Sequence, residues 1–150
     1  MSKIFKLIFI IILFFSFNTQ VFSKENFFNK AWKMYEKEKF EDARFLFERN
    51  IVFNPKDAES YLYLAKIYNH EENQRKEEFN LETALLIEPD NEEAMLMMMK
   101  IAIEKSNYEK VKNLSDTFSK VCKNLCDENK EIKDSLKNID PKNESWSKSG

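Results

Sequence analysis

Cys122 and Cys126, the single histidine His70, and the adjacent carboxylates Glu77-Glu78 and Glu92-Glu93 are the side chains of this 150-residue sequence whose types could do chemistry. A redox-active thiol pair needs two residues between its cysteines, at a helix start; here three intervene, and no histidine adjoins the pair to mark haem attachment. His70 is followed by Glu71-Glu72-Asn73-Gln74, so it lacks the second histidine of a His-Glu-x-x-His zinc helix. Neighbouring carboxylates on one helix point in different directions and do not form an acid-base pair. The sole glycine is Gly150, which excludes glycine-rich phosphate loops and Gly-x-Ser-x-Gly nucleophile elbows. No catalytic residue, metal site or cofactor is expected.

The elements that would position these groups are helices. Apolar residues at helical spacing predict paired helices near 25–37 and 40–53, 57–70 and 74–87, and 92–105 and 108–122, with no strands. Asp57 before Ala58-Glu59-Ser60 and Asn91 before Glu92-Glu93-Ala94 are expected caps with acidic first turns. Leu125, Ile132, Leu136 and Ile139 predict a seventh helix over about 127–138. It would cover the apolar face that an end repeat leaves open.

The pattern recurs. Pro55 and Pro89 are two of three prolines and stand 34 residues apart. Phe27, Tyr61 and Met95 share one phase of that period; Ala31, Ala65 and Met99 another; Met34, Tyr68 and Ala102 a third. Phe40 pairs with Tyr108, Ala43 with Val111, Phe47 with Leu81, and Ala84 with Phe118. Over roughly 24–123 the chain resembles the tetratricopeptide repeat (TPR) family: Tyr61, Leu64, Ala65 and Tyr68 match the first half of its pattern, and Ala43, Phe47 and Pro55 the second. The departures are Glu77 for a small residue, Ser115 for an aromatic and Lys123 for proline. Glu38, Glu72 and Ser106 stand where glycine is usual; Asn73 and Asn107 tolerate a left-handed turn, so slightly longer turns are expected. The resemblance implies an all-α fold of three stacked helix-turn-helix repeats, an α-solenoid, with a C-terminal capping helix.

Residues 1–23 read as an export signal: Lys3 and Lys6, an apolar run from Leu7 to Phe15, then Ser16 to Ser23. Cleavage after Ser23 would place the chain outside the cytoplasm, in the periplasm of a bacterium. An uncleaved segment from Leu7 to Phe22, tilted and with some bilayer thinning, would anchor it in the inner membrane instead. Loss of Lys3 and Lys6 with the leader shifts the formal charge from −2 to −4. With Lys and Glu alternating, as in Glu36-Lys37-Glu38-Lys39, nucleic acid is not an expected partner, because such binders cluster their cations. The mature chain is therefore expected to form one TPR-like domain over 24–139 followed by a disordered tail over 140–150. Trp146 in that tail has no physical account. In an exported protein Cys122 and Cys126 are expected to form a disulfide across a turn between the sixth helix and the cap, since a regular helix fits bridge geometry poorly.

The resemblance also implies where a partner would bind: a concave groove lined by the first helix of each unit. Carried onto this chain, the lining is Phe28, Trp32 and Tyr35, then Tyr63, Lys66, Asn69 and His70, then Met97, Lys100 and Glu104. Phe28, Trp32 and Met97 are equally readable as core. One subclass of the family grips a terminal carboxylate with groove Lys, Asn and Arg; Phe28, Trp32, Tyr63, Glu93 and Met97 hold those places here, so recognition of a protein or peptide partner should be mainly apolar. The expected function is a non-catalytic envelope adaptor. The alternatives are a membrane-tethered scaffold of a secretion or cytochrome-maturation complex, and a thiol-exchange accessory protein using the cysteine pair.

Overall fold

The computed structural model describes residues 26–139; the leader, Lys24 and the tail with Trp146 lie outside the described residues. Within them run seven helices: α1 Phe27–Tyr35, α2 Phe40–Phe53, α3 Ala58–His70, α4 Gln74–Ile87, α5 Glu92–Glu104, α6 Tyr108–Val121 and α7 Cys126–Ile139. Each packs on its neighbours in chain order, giving three helical pairs and a terminal helix. None is long and apolar enough to cross a membrane.

Local chemistry sets the boundaries. The side-chain oxygens of Asn26, Asn73, Asn91 and Asn107 each accept a hydrogen bond from the backbone N–H three residues on, at 3.0 to 3.2 Å, satisfying donors that a helix start leaves open. Asp57 does not cap α3 in this way. Its carboxylate instead accepts from Ser60 Oγ at 2.6 Å and Asn50 Nδ2 at 2.5 Å, because Asn50 is buried at the junction of the first two pairs and needs a partner.

The turns within the pairs correct the expectation for the asparagines. The left-handed residues are Glu38, Glu72 and Ser106, with φ of 57°, 55° and 54°; Asn73 and Asn107 have negative φ and serve as caps. At each turn the N–H of the next residue reaches back to close the preceding helix: Lys39 to Met34 O at 2.9 Å, Asn73 to Tyr68 O at 2.8 Å and Asn107 to Ala102 O at 2.7 Å. These six-to-one bonds end a helix on a left-handed residue that glycine usually supplies. A side chain there is strained, so Glu38→Gly, Glu72→Gly and Ser106→Gly should each stabilise by about 0.5–1 kcal/mol. The triple variant should melt roughly 5–10 °C higher in a circular-dichroism scan; an unchanged or lower midpoint would refute the strain argument.

The core follows the 34-residue phase. Ala31, Ala65 and Met99 are wholly buried, as are Ala43 and Val111, Phe47 and Leu81, and Ala84 and Phe118. Small residues let paired helices approach, and the large ones fill the space between pairs. The family departures have physical uses. Ser115, where an aromatic is usual, is fully buried and donates from Oγ to Asn129 Oδ1 of α7 at 2.7 Å, while Asn129 Nδ2 donates to Ser119 Oγ at 2.9 Å and to Ser115 O at 3.2 Å. Lys123, where proline is usual, offers its N–H to Glu92 Oε1 at 2.7 Å, and Asn124 and Leu125 offer theirs to Glu92 Oε2 at 3.0 and 2.8 Å. Desolvation works against the charged Glu92 carboxylate, but these N–H donors of Leu125, Asn124 and Lys123 outweigh it and hold the group below its ordinary value. Glu92 therefore ties the start of α5 to the turn before α7. That turn begins at Cys122, which closes α6, and ends at Cys126, which opens α7. The two Cα atoms are 5.5 Å apart, with the sulfurs in bonding contact.

Candidate functional site

The first helices of the three pairs share one side of the array. Tyr35 of α1, Lys66, Asn69 and His70 of α3, and Met97 of α5 surround a hollow of about 380 Å³, together with Phe40 at the start of α2 and Glu93 in the first turn of α5. Five of the ten residues expected in the groove thus gather at one place. Tyr63, half-buried, supports them: it stacks on Phe47 at 5.2 Å between centroids and meets Tyr35 edge-on at 5.0 Å. Phe28, also half-buried, meets Tyr63 at 6.0 Å but lines a separate hollow of about 750 Å³ with Asn50, Asn54 and Pro55. Trp32 is 38% exposed on α1 and is not part of the hollow's lining. Lys100 is exposed. Glu104 accepts from Gln74 Nε2 at 2.6 Å, a bridge between the second and third pairs.

Phe40 was missed as lining; Glu93, already placed at a groove position by the resemblance, was left out of the expected lining. Phe40 opens a second helix, a position the resemblance assigns to the outer layer, yet its ring meets Tyr35 at 5.6 Å and His70 at 4.3 Å. Its large aromatic ring at the mouth of the turn was the available signal. Glu93 pairs with Lys66 at 2.8 Å, and Lys66 Nζ lies 4.6 Å from the Tyr63 ring centroid. The ammonium is thus held between a carboxylate and an aromatic face, leaving a rim that is polar and nearly charge-balanced over an aromatic floor.

Two groups at or beside the hollow, Tyr35 and Glu77, carry perturbed acidities. Burial pushes the Tyr35 hydroxyl up from its ordinary value, with Lys66 acting in the opposite sense, so at neutral pH it stays a neutral donor. Beneath Asn69, Glu77 is buried in the first turn of α4 and accepts from Asn69 Nδ2 at 3.1 Å. Desolvation raises its carboxyl above the ordinary range; the Asn69 bond lowers it in part, and the Glu104 and Glu78 charges raise it further. A folded carboxyl that holds its proton more tightly than the unfolded one stabilises fully below the unfolded value and loses that stabilisation as pH rises through the folded value. Glu77→Gln keeps the Asn69 acceptor and removes the charge. It should raise stability at pH 7 by on the order of 1 kcal/mol, and its advantage over the wild type should shrink as pH falls through the raised Glu77 value. Urea unfolding between pH 4 and 8 reads this; a pH-independent difference would refute the ionisation account.

Among the described residues no group of three or more His, Cys, Asp or Glu side chains is placed to hold a metal ion. No family model matches the sequence, and no curated protein does. Solved structures do match. The type III secretion translocator chaperone SycD of Yersinia enterocolitica superposes with a TM-score of 0.66 at 15% identity, over 80% of this chain and 85% of that one. The same chaperone in complex with a peptide of the translocator YopD gives 0.66 at 14% identity, over 79% and 92%. The Sgt2 TPR domain from Aspergillus fumigatus gives 0.64 at 11%, over 78% and 81%. With its 34-residue register of buried residues, three left-handed turns in phase and this likeness in path, the chain has the tetratricopeptide-repeat fold, three repeats closed by a capping helix.

Proposed function

We propose that this protein is a non-catalytic adaptor of the cell envelope that holds an extended or helical segment of another protein in the hollow bounded by Tyr35, Phe40, Lys66, Asn69, His70, Glu93 and Met97. The observation that carries the reading is that hollow: aromatic and methionine surface from three helical pairs converges on one side. An apolar side chain of the bound segment enters over Met97 and Phe40, where rigid rings lose little entropy on contact and methionine adapts to shape. Asn69 and His70 at the rim serve its backbone. SycD, of similar fold, has been solved in complex with a peptide of the translocator YopD, which supports a peptide or protein segment as the partner here. Trp32 extends the apolar lining toward the N-terminal end.

Export is part of the proposal and is supported by Lys3, Lys6 and the apolar run from Leu7 to Phe15. In that compartment the Cys122–Cys126 bridge is a structural disulfide that holds α7 to the last repeat, supported by its place across the turn rather than within a helix. The test is binding of a random peptide display library to the immobilised protein, followed by fluorescence titration of the selected sequences. Met97→Glu, which puts a charge on a half-buried wall of the hollow, should weaken selected apolar peptides about 10-fold or more while helical content is unchanged. Selection of peptides indifferent to Met97→Glu would reject the hollow as the site.

A further inference from the structure

On the outer faces of α2 and α4, away from their buried residues, four large apolar residues stand in solvent at matched positions of two repeats. Phe45 and Val52 of α2 are 60% and 75% exposed, and Phe79 and Leu86 of α4, each 34 residues later, are 65% and 83% exposed. Among the described residues they are left mostly uncovered. Single exposed apolar residues are ordinary, but two ridges in register form a patch. In the third repeat the same positions are Asn113 and Lys120, so the patch stops after two ridges.

Charge distinguishes the ridges. Glu41 lies on the stripe of Phe45 and Val52, one turn before Phe45; the residue 34 positions later is Arg75, one turn before Phe79. Asp42 and Lys76 adjoin them with the same opposition, and all four are exposed. Arg75 and Lys76 also line a shallow hollow of about 690 Å³ beside Phe79. A two-fold axis parallel to the helices and midway between α2 and α4 lays the α2 of one copy along the α4 of another. Phe45 then meets Phe79, Val52 meets Leu86 and Glu41 meets Arg75, each twice. Glu48 and Glu82 come opposite as well, but each is engaged within its own chain, by the Tyr68 hydroxyl at 3.0 Å and by Lys110 at 3.4 Å.

We propose that the outer face of α2 and α4 is the interface of a symmetric homodimer, two copies back to back with their hollows facing away from each other. The partner is a second copy because the surface is complementary to itself in both shape class and charge, the requirement of a two-fold contact. The apolar residues offer on the order of 500 Å² per copy, below the roughly 800 Å² per partner of a stable complex. The contact therefore belongs to the weak, reversible class, and its flanking charges decide the pairing. Because the third repeat lacks the ridge, the assembly closes at two copies.

Sedimentation velocity of the purified protein across a concentration series tests this, with circular dichroism to confirm that every variant is folded. The wild type should dimerise with a Kd on the order of 10 µM. Glu41→Arg alone and Arg75→Glu alone each create two like-charge contacts and should weaken the dimer about 10-fold or more. The double variant restores opposite charges and should return to within about 3-fold of wild type. Phe79→Ser should leave a monomer. A wild type that stays monomeric at 200 µM, roughly twentyfold above the expected Kd, overturns the proposal, as would a patch serving lipid or another protein instead. A dimer unaffected by these charge changes, or not rescued by the double variant, also overturns it.

Discussion

Phe47→Ala is expected to destabilise the protein by about 3–5 kcal/mol and to abolish peptide binding at temperatures where the chain is still folded. Phe47 is wholly buried and is the layer on which the groove's aromatic floor rests. Its ring lies nearly parallel to Tyr63 at an interplanar angle of 5° and meets Phe28 edge-on at 5.6 Å. Truncation opens a cavity that the close-packed pairs α1–α2 and α3–α4 can fill only by tilting these rings. Tyr63 also contacts Tyr35, so the tilt reaches the wall of the hollow. Leu81→Ala is the control, since Leu81 holds the same place one repeat later and is equally buried, but belongs to the middle cluster with Ala65 and Met98. It should lower stability by about 2–5 kcal/mol and leave affinity nearly unchanged. Urea unfolding with peptide titration at one low temperature separates the two. Equal loss of affinity in both folded variants would show that the floor has no special role. The same geometry makes Tyr63 a poor probe of binding, because its removal damages the packing it shares with Phe47.

The second large effect lies at the other end. Leu136→Asp should destabilise the last repeat by at least about 3 kcal/mol while leaving the first nearly intact. Leu136 of α7 is almost fully buried against Met95, Leu96, Val111 and Phe118, and an unpaired carboxylate there drives α7 off its seat. In a linear array each repeat contacts only its neighbours, so the loss should propagate from α7 through α6 and α5 and fade toward α1. Hydrogen exchange resolves this: amides of α5 and α6 should lose protection, while those of α1 and α2 keep most of it. Uniform loss across all helices would mean that the array unfolds as one unit and the neighbour-only picture fails. The Ser115–Asn129 bonds, the Glu92 contacts to the turn and the Cys122–Cys126 link all act at the same junction.

The period, the helix boundaries and the presence of a cap were legible in the sequence, because each rests on neighbours along the chain. Helical spacing marks which residues face inward, and Asn91 was readable as a cap. Asp57, by contrast, turns to Ser60 and Asn50 instead, and Asn73 and Asn107 cap helices where turn residues were expected. The left-handed turn residues were not legible. Glu38, Glu72 and Ser106 adopt a conformation their side chains disfavour because the packing of each helix pair dictates the turn, overriding local preference. The candidate site was half legible. Tyr35, Lys66, Asn69, His70 and Met97 follow from their place in the first helices, whereas Phe40 joined them only because the turn brings the start of α2 beside Tyr35 and His70. Tyr63 became a support by stacking on Phe47 of the preceding pair, and Glu77 became a buried acid beside Asn69 across the turn within its pair. Periodicity states which face of a helix is covered; only the stacking of one pair on the next decides what covers it, and that contact separates the wall of the hollow from its support.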